Sequence, residues 1–185
     1  MREIEVKARV SNRMGVQMAA RRYGIFFGKA VEQNDTVYIS KNVKPEDPDY
    51  NLIRLRKSGT KVLLTMKYRA SSYSKDNIEY ETEVGDFDQA AAILVRLNFV
   101  VDVRINKMRQ TAKFKDYEIC LDEVEGLGEF IEIEKLVDDD LGSTAGNTDV
   151  AVLQADMLKI IKELGIDESA RVHEGYSAMV RALTK

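Results

Sequence analysis

The sequence predicts an α+β fold in which an eight-stranded antiparallel β-barrel is flanked by α-helices. Three observations lead to this class. Short runs that alternate charged and apolar residues recur along the chain, which is typical of strands with one ionic and one apolar face. Brief Gly-containing or polar turns separate these runs. Amphipathic helical stretches lie between the strands and at the C-terminal end, where they can cover the apolar face.

The first strand, at residues 3–10, shows the alternation most clearly. Glu3, Glu5 and Lys7 share one face, whereas Ile4 and Val6 point to the other. The further predicted strands cover 28–33, 36–40, 53–56, 62–67, 78–84, 100–105, 108–114, 117–124 and 130–135. The predicted helices cover 12–23, 87–97, 150–164 and 176–183, with Asp86 as the cap of the second helix. A polar loop with both prolines is expected at 41–50.

The recurrence of charged faces allows two arrangements of these strands. In an open sheet the ionic face would be solvated, and each exposed ion would contribute little to stability. In a closed barrel the ionic faces would point inward and line a lumen wide enough for a small ligand. Buried charges at this density need partners or a ligand, since desolvation costs several kcal/mol per ion. We therefore favour the barrel.

Length and composition limit the remaining possibilities. A chain of 185 residues suits a single domain, with a barrel core at about 1–136 and C-terminal helices at about 148–185. The formal charge of −3 does not suggest binding to nucleic acid or an anionic membrane. The single cysteine, Cys120, is expected to be a small core residue, and without a signal-like segment the cytoplasm is the default location. Whether two copies form a homodimer is left open.

The two kinds of charge in the predicted lumen suit two kinds of ligand. Arginine and lysine side chains suit phosphoryl oxygens, which arginine can bind through two parallel hydrogen bonds. Clustered carboxylates suit Mg²⁺ or Mn²⁺, because these hard cations prefer oxygen ligands and often bind beside substrate phosphates. The pattern thus predicts metal-assisted phosphoryl chemistry.

Several motifs, in order along the chain, resemble the CYTH superfamily of triphosphate tunnel metalloenzymes. Residues 3–7 form its E-x-E-x-K signature, and further matching positions follow at Asp35 with Tyr38, Arg54-Leu55-Arg56, Lys67, Glu79-Tyr80-Glu81, Lys107-Met108-Arg109, Asp122, residues 127–132 and Tyr176. The spacing from Asp122 to Glu132 resembles most the branch that contains class IV adenylyl cyclases. Glu134 is a carboxylate that such cyclases need not have.

The resemblance implies an eight-stranded tunnel that binds a triphosphate together with Mg²⁺ or Mn²⁺. The implied metal ligands are Glu3, Glu5, Asp122, Glu132 and Glu134. The implied triphosphate-binding residues are Lys7, Arg54, Arg56, Lys67, Lys107 and Arg109, of which Lys7, Arg54 and Lys67 would also be catalytic.

Three activities are compatible with this resemblance. A class IV adenylyl cyclase would convert ATP to cyclic AMP and pyrophosphate, whereas a thiamine or inorganic triphosphatase would release phosphate from the same cradle. A non-catalytic binder of nucleotides or polyphosphate is the third alternative, although such a binder would gain nothing from so many carboxylates.

Overall fold

A computed structural model describes residues 2–43, 51–69, 77–137 and 146–183 of the chain. Of the polar loop expected at 41–50, residues 44–50 lie outside the described part. The described residues form nine strands and four α-helices. The strands are β1 (Arg2–Arg9), β2 (Val31–Ser40), β3 (Asn51–Ser58), β4 (Lys61–Arg69), β5 (Asn77–Glu83), β6 (Phe99–Phe114), β7 (Tyr117–Val124), β8 (Gly128–Val137) and β9 (Arg171–Val172). The helices are α1 (Arg13–Arg22), α2 (Phe87–Arg96), α3 (Gly146–Glu163) and α4 (Tyr176–Leu183).

The chain divides into two compact units, which we describe separately. Unit 1 comprises Met1–Arg2, Val31–Lys107 and Gly175–Lys185, and unit 2 comprises Glu3–Ala30 and Met108–Glu174. The long strand β6 passes from the first unit into the second.

Unit 1 is an antiparallel meander with the strand order β5-β4-β3-β2-β6. Its apolar core contains Tyr38, Ile53, Leu55 and Leu94, the last of which comes from α2. Asp86 caps α2 as predicted, since its side chain accepts a hydrogen bond of 2.8 Å from the backbone N–H of Gln89. The β3–β4 hairpin turns at Gly59, whose φ of +59° lies in the left-handed region that glycine tolerates best.

Unit 2 has the strand order β6-β7-β8-β1-β9 and carries α1 and α3. Its core is larger and combines the apolar face of β1 with buried side chains of β7, β8, α1 and α3, among them Val6, Leu121, Ile133 and Met157. On β7 and β8 the opposite face is buried too, because Asp122 and Glu132 are almost inaccessible to solvent. This second buried face carries buried charged side chains, which are unusual in a protein interior.

These observations confirm the predicted α+β class of antiparallel strands with flanking helices, an arrangement consistent with the tunnel fold. Within each unit the strand order is open-ended, so the lumen of the barrel stays a prediction. Two expected breaks are absent: residues 31–33 and 36–40 lie in the single strand β2, and 100–105 and 108–114 are joined in β6. Residues 28–30, predicted as the start of a strand, precede β2 and are not in a strand. The β6 alternation continues through Lys107, which is buried like Ile105 two residues earlier. The two-residue strand β9 was not predicted.

Candidate functional site

Charged side chains gather in two clusters, one in each unit. The first, which we call the arginine cluster, lies on β2 to β6 of unit 1. It consists of Asp35, Arg54, Arg56, Thr65, Lys67, Glu79, Glu81 and Lys107. Strand register explains its contacts, since Asp35 lies opposite Arg56, Arg54 opposite Thr65, Thr65 opposite Glu81, and Lys67 opposite Glu79.

The buried pair of Asp35 and Arg56 is the most ordered part of the arginine cluster. Nε and Nη2 of Arg56 each donate a hydrogen bond of 2.7 Å to the two carboxylate oxygens of Asp35. Burial alone would raise the pKa of Asp35, but the hydrogen bonds and charge of Arg56 outweigh it and hold that pKa below its ordinary value. Both residues are at most 8% exposed, so this pair is desolvated on both sides.

Arg54 is less completely compensated than Arg56. Its Nη2 donates to Thr65 Oγ1 at 3.1 Å and lies 3.4 Å from Glu81 Oε2, while the Thr65 hydroxyl donates to the same Glu81 oxygen at 2.7 Å. Within the described part of the chain, the buried Nε of Arg54 has no hydrogen-bond partner. Burial and the neighbouring charge of Arg56 lower the pKa of Arg54. The guanidinium therefore has one buried donor that is not satisfied, in a site where burial disfavours its charge.

Two lysines complete the arginine cluster. Lys67 forms an ion pair with Glu79 on the adjacent strand. The buried Lys107 places its ammonium nitrogen 5.0 Å from the centroid of the Tyr176 ring, a cation–π contact with the first residue of α4.

The second group, the carboxylate cluster, belongs to unit 2 and has the opposite charge balance. It consists of Glu3, Glu5, Lys7, Arg109, Glu118, Cys120, Asp122, Glu132 and Glu134. The β7–β8 register places Cys120 opposite Glu132 and Glu118 opposite Glu134. Six carboxylates thus accompany two cations, Lys7 and Arg109.

The two cations of the carboxylate cluster are held by three of its acids. Arg109 donates to both oxygens of the fully buried Asp122, at 2.7 and 2.6 Å, and also contacts Glu132. Lys7 Nζ lies 3.1 Å from a Glu132 oxygen and 3.6 Å from a Glu5 oxygen. Burial would lower the pKa of Lys7, but Glu132 and Glu5 together raise it, so the amine is held as a cation.

Glu134 experiences the excess of negative charge in this cluster. Burial and the neighbouring carboxylate of Glu3, opposed in part by Arg109, raise the pKa of Glu134 to about 8. Ligand atoms of Glu134, Glu118 and Cys120 lie within 4.8 Å of one another, a spacing at which they could hold a metal ion. Burial is also the main cause that raises the pKa of the Cys120 thiol.

The predicted site residues thus divide between the two clusters. Arg54, Arg56, Lys67 and Lys107, all predicted to bind triphosphate, lie in the arginine cluster. Lys7 and Arg109, predicted for the same role, lie instead among the predicted metal ligands Glu3, Glu5, Asp122, Glu132 and Glu134 and contact three of them. The roles of these residues stay predictions.

Several members of the clusters had no predicted role. Thr65 could have been found, because it alternates with Lys67 on the same strand face. Cys120 is buried, as expected, but it shares the face of Glu118 and Asp122 and not that of Ile119 and Leu121. Its alternation with two acids was the available signal.

Comparison with known proteins identifies relatives over nearly the whole chain. A protein of Methanocaldococcus jannaschii named "Putative adenylate cyclase" is 28% identical over 179 residues, which cover 95% of this chain and 97% of that protein. The solved structure of the PH1819 protein from Pyrococcus horikoshii is 26% identical, with a TM-score of 0.79 and coverage of 98% of this chain and 99% of that one.

A structure from Hippeastrum shares the fold at lower identity. It is described as a "Putative adenylyl cyclase" with a dominant triphosphatase activity, is 18% identical and has a TM-score of 0.61, with coverage of 100% of this chain and 97% of that one. Among the described residues, no helix is long and apolar enough to cross a membrane. The CYTH domain model matches residues 1–176, so the chain belongs to the CYTH domain family, whose members are generally enzymes, bind triphosphate substrates and depend on metal.

Proposed function

We propose that this protein is a metal-dependent adenylyl cyclase that converts ATP to cyclic AMP and pyrophosphate. The observation that carries the proposal is the opposite charge imbalance of the two clusters. The arginine cluster holds more cations than acids, and the carboxylate cluster holds more acids than cations. A polyphosphate would supply the arginine cluster with the negative charge that it lacks, and a divalent metal would supply the carboxylate cluster with positive charge.

In the arginine cluster, Arg54 is the residue best prepared for an anion. Its buried Nε has no partner within the described part of the chain, and a buried donor without an acceptor is costly. A phosphoryl oxygen would satisfy this donor and offset the lowered pKa of Arg54. Arg56, Lys67 and Lys107 would add further positive charge, with Arg56 held in place by its pair with Asp35.

The carboxylate cluster fits Mg²⁺ or Mn²⁺ by the chemistry of its donors. Glu3, Glu5, Glu132 and Glu134, with Asp122 beside them, offer the oxygen ligands that these ions prefer. Burial and the charge of Glu3 raise the pKa of Glu134 to about 8, so this carboxyl would release its proton as the metal binds. When bound, the metal would neutralise phosphoryl charge and polarise the phosphorus–oxygen bonds.

In the cyclase reaction, lysine and arginine side chains of this chain stabilise the negative charge on the phosphoryl oxygens and the leaving pyrophosphate. The ribose 3′ oxygen bonds to the α-phosphorus, the bond to the β-phosphate oxygen breaks, pyrophosphate leaves, and the hydroxyl proton passes to solvent. Arg54 and Lys67 of the arginine cluster stabilise the phosphoryl oxygens as charge shifts towards the leaving group. Because its carboxylate neighbours hold Lys7 as a cation, Lys7 acts by charge and not as the base.

A triphosphatase is the second candidate, and the extra carboxylates favour it. Glu134 exceeds what the cyclase resemblance requires and, with Glu118 opposite it on β7, adds acceptors for a water molecule that attacks the terminal phosphorus. The two reactions differ in the nucleophile and in the phosphorus attacked, so the same residues would bind the triphosphate in either case.

A product assay with purified protein separates these candidates. ATP, thiamine triphosphate and inorganic triphosphate are each supplied with Mg²⁺ or Mn²⁺, and cyclic AMP, pyrophosphate and orthophosphate are resolved. Cyclic AMP formed with an equal amount of pyrophosphate supports the cyclase. Orthophosphate without cyclic AMP would replace the cyclase with the triphosphatase, and ATP binding without any product would leave only a binder.

Glu5→Gln tests the metal-binding role within the same assay. We expect this substitution to abolish turnover while leaving the thermal unfolding of the metal-free protein nearly unchanged, because it removes a charged metal ligand without changing side-chain size. Glu123→Gln is the matched control, since Glu123 is an exposed carboxylate of β7 outside both clusters. Wild-type turnover in Glu5→Gln would remove Glu5 from the metal site.

A further inference from the structure

Helix α1 in unit 2 has an unusual outward face. Val16 and Ala20 are buried against the core, as expected for an amphipathic helix. Met14 and Met18, four residues apart on the opposite side, are 70% and 54% exposed. The outward face of a helix normally carries polar residues. Two exposed methionines one turn apart therefore suggest that this face contacts another surface.

The apolar exposure continues beyond the end of α1. The chain turns at Gly24, and the backbone N–H of Ile25 donates to the carbonyl of Ala20 at 2.9 Å. Ile25 and Phe27 then pack into the core, while Phe26 between them is 71% exposed and Tyr23 is 45% exposed. The exposed apolar surface therefore includes two aromatic rings in addition to the methionines.

Positive charge accompanies this apolar surface. From Val6 to Val31 the sequence contains no Asp or Glu, although the whole chain has a formal charge of −3. The cations of this segment are Lys7, Arg9, Arg13, Arg21, Arg22 and Lys29. Arg21, Arg22 and Lys29 are exposed, and none of the ion pairs found among the described residues involves them. The local charge is thus opposite to that of the chain as a whole.

We propose that the α1 surface, defined as Met14, Met18, Arg21, Arg22, Tyr23, Phe26 and Lys29, binds reversibly to an anionic lipid surface. Charge complementarity selects an acidic partner. A second copy of the chain is disfavoured, because the same surface in both copies would bring like charges together.

Lipid suits the α1 surface better than an acidic protein segment does. Protruding apolar side chains among cations can enter the boundary between headgroups and acyl chains, where tyrosine is also favoured. A peptide would need a groove or pockets for its side chains. A cavity of about 460 Å³ does border Arg9 and Arg22, but Glu163 and Asp167 line it too, so it is not selective for acidic side chains. The overall charge argued against an anionic membrane, but the local distribution of charge reverses that expectation.

Vesicle co-sedimentation of the full chain tests this proposal. We expect binding to vesicles of phosphatidylcholine with added phosphatidylglycerol, little binding to phosphatidylcholine alone, and weaker binding as sodium chloride is raised. Neutralising both arginines in R21Q/R22Q should lower the partition coefficient on the order of tenfold. Phe26→Ser should lower it several-fold at high salt, where the apolar contribution dominates.

Matched variants on other surfaces serve as controls. Ile93→Ser removes an apolar side chain of α2 that is 59% exposed, and Lys61→Gln removes an exposed cation of β4. Both should bind vesicles like the wild type, and circular dichroism should show every variant folded.

Three outcomes would overturn the proposal. The first is equal binding to neutral and anionic vesicles, and the second is wild-type binding by R21Q/R22Q. The third is retention of the wild-type protein by immobilised polyglutamate without retention by anionic vesicles, which would point to an acidic protein partner. None of these measurements depends on triphosphate turnover, so the proposed enzymatic activity is tested separately.

Discussion

The arginine cluster and the carboxylate cluster differ in how their buried charges are paired. In the arginine cluster, Arg56 pairs with Asp35 and Lys67 with Glu79, each on an adjacent strand, and Arg54 contacts Glu81 two strands away. In the carboxylate cluster, Arg109 is shared by Asp122 and Glu132, and Lys7 by Glu132 and Glu5. One cluster consists largely of separate pairs, and the other is a network with too few cations.

The two arrangements predict different losses of stability when one charged side chain is removed. A separate pair fails alone when one partner is removed, because its neighbours keep their own partners. A shared cation supports several acids at once, so its loss exposes more than one buried charge. The network should therefore be more sensitive to the loss of a cation than the separate pairs are to the loss of an acid.

The largest effect is expected for Arg109→Ala. This substitution leaves the buried carboxylates of Asp122 and Glu132 without their guanidinium and should lower the free energy of unfolding by about 3–5 kcal/mol. Urea denaturation of the metal-free protein at neutral pH measures the change, with the slope of the transition as a check on two-state behaviour.

Arg104→Ala is the control for Arg109→Ala. Arg104 lies on the same strand, β6, but it is exposed and should change the free energy of unfolding by less than about 0.5 kcal/mol. If the two substitutions have similar effects, Arg109 does not support the buried acids.

Asp35→Asn should have a smaller effect that depends on pH. At neutral pH we expect a loss of about 2–3 kcal/mol, because Arg56 loses the charge of its buried partner but keeps a hydrogen-bonding amide. The folded-state pKa of Asp35 lies below its unfolded value, so the pair stabilises the protein above the unfolded pKa and loses this contribution as pH falls through the folded pKa.

The difference between wild type and Asp35→Asn should therefore be constant from about pH 7 to about pH 5 and shrink as the pH approaches about 3. Urea midpoints measured across this range test the expectation. Asp88→Asn, at an exposed position of α2, should change the urea midpoint at neutral pH far less than Asp35→Asn does. A difference for Asp35→Asn that grows in acid would contradict the depressed pKa.

Sequence periodicity was enough to predict the strands and their charged faces, but not the pairing within them. Alternation places Arg54 and Arg56 on one face of β3 whatever their neighbours are. Which acid meets Arg56 depends on the β2–β3 register, and hence on a connection that the sequence pattern does not determine. The predicted strands 100–105 and 108–114 left a break at residues 106–107, inside what is the single strand β6. Periodicity does not reveal that Lys107 is buried and packed against Tyr176.

The alkylation rate of Cys120 reports on the carboxylate cluster without any substitution, and it is the smallest of the expected effects. Its thiol is fully buried, and that burial raises its pKa, so alkylation by iodoacetamide should be very slow in the native protein and fast in urea. It is the only cysteine of the chain, and every alkylated molecule therefore reports opening around this cluster.

Metal binding should make Cys120 still less reactive. If the carboxylates hold Mg²⁺ or Mn²⁺, the ion stabilises the native state in which Cys120 is buried. The alkylation rate should then be divided by one plus the ratio of metal concentration to dissociation constant. Glu134→Gln should abolish most of this protection, whereas Glu79→Gln, in the arginine cluster, should retain it. Equal rates with and without metal in the wild type would mean that the excess acids of the network are not a metal site, and mass spectrometry of the alkylated chain decides between these outcomes without any assay of turnover.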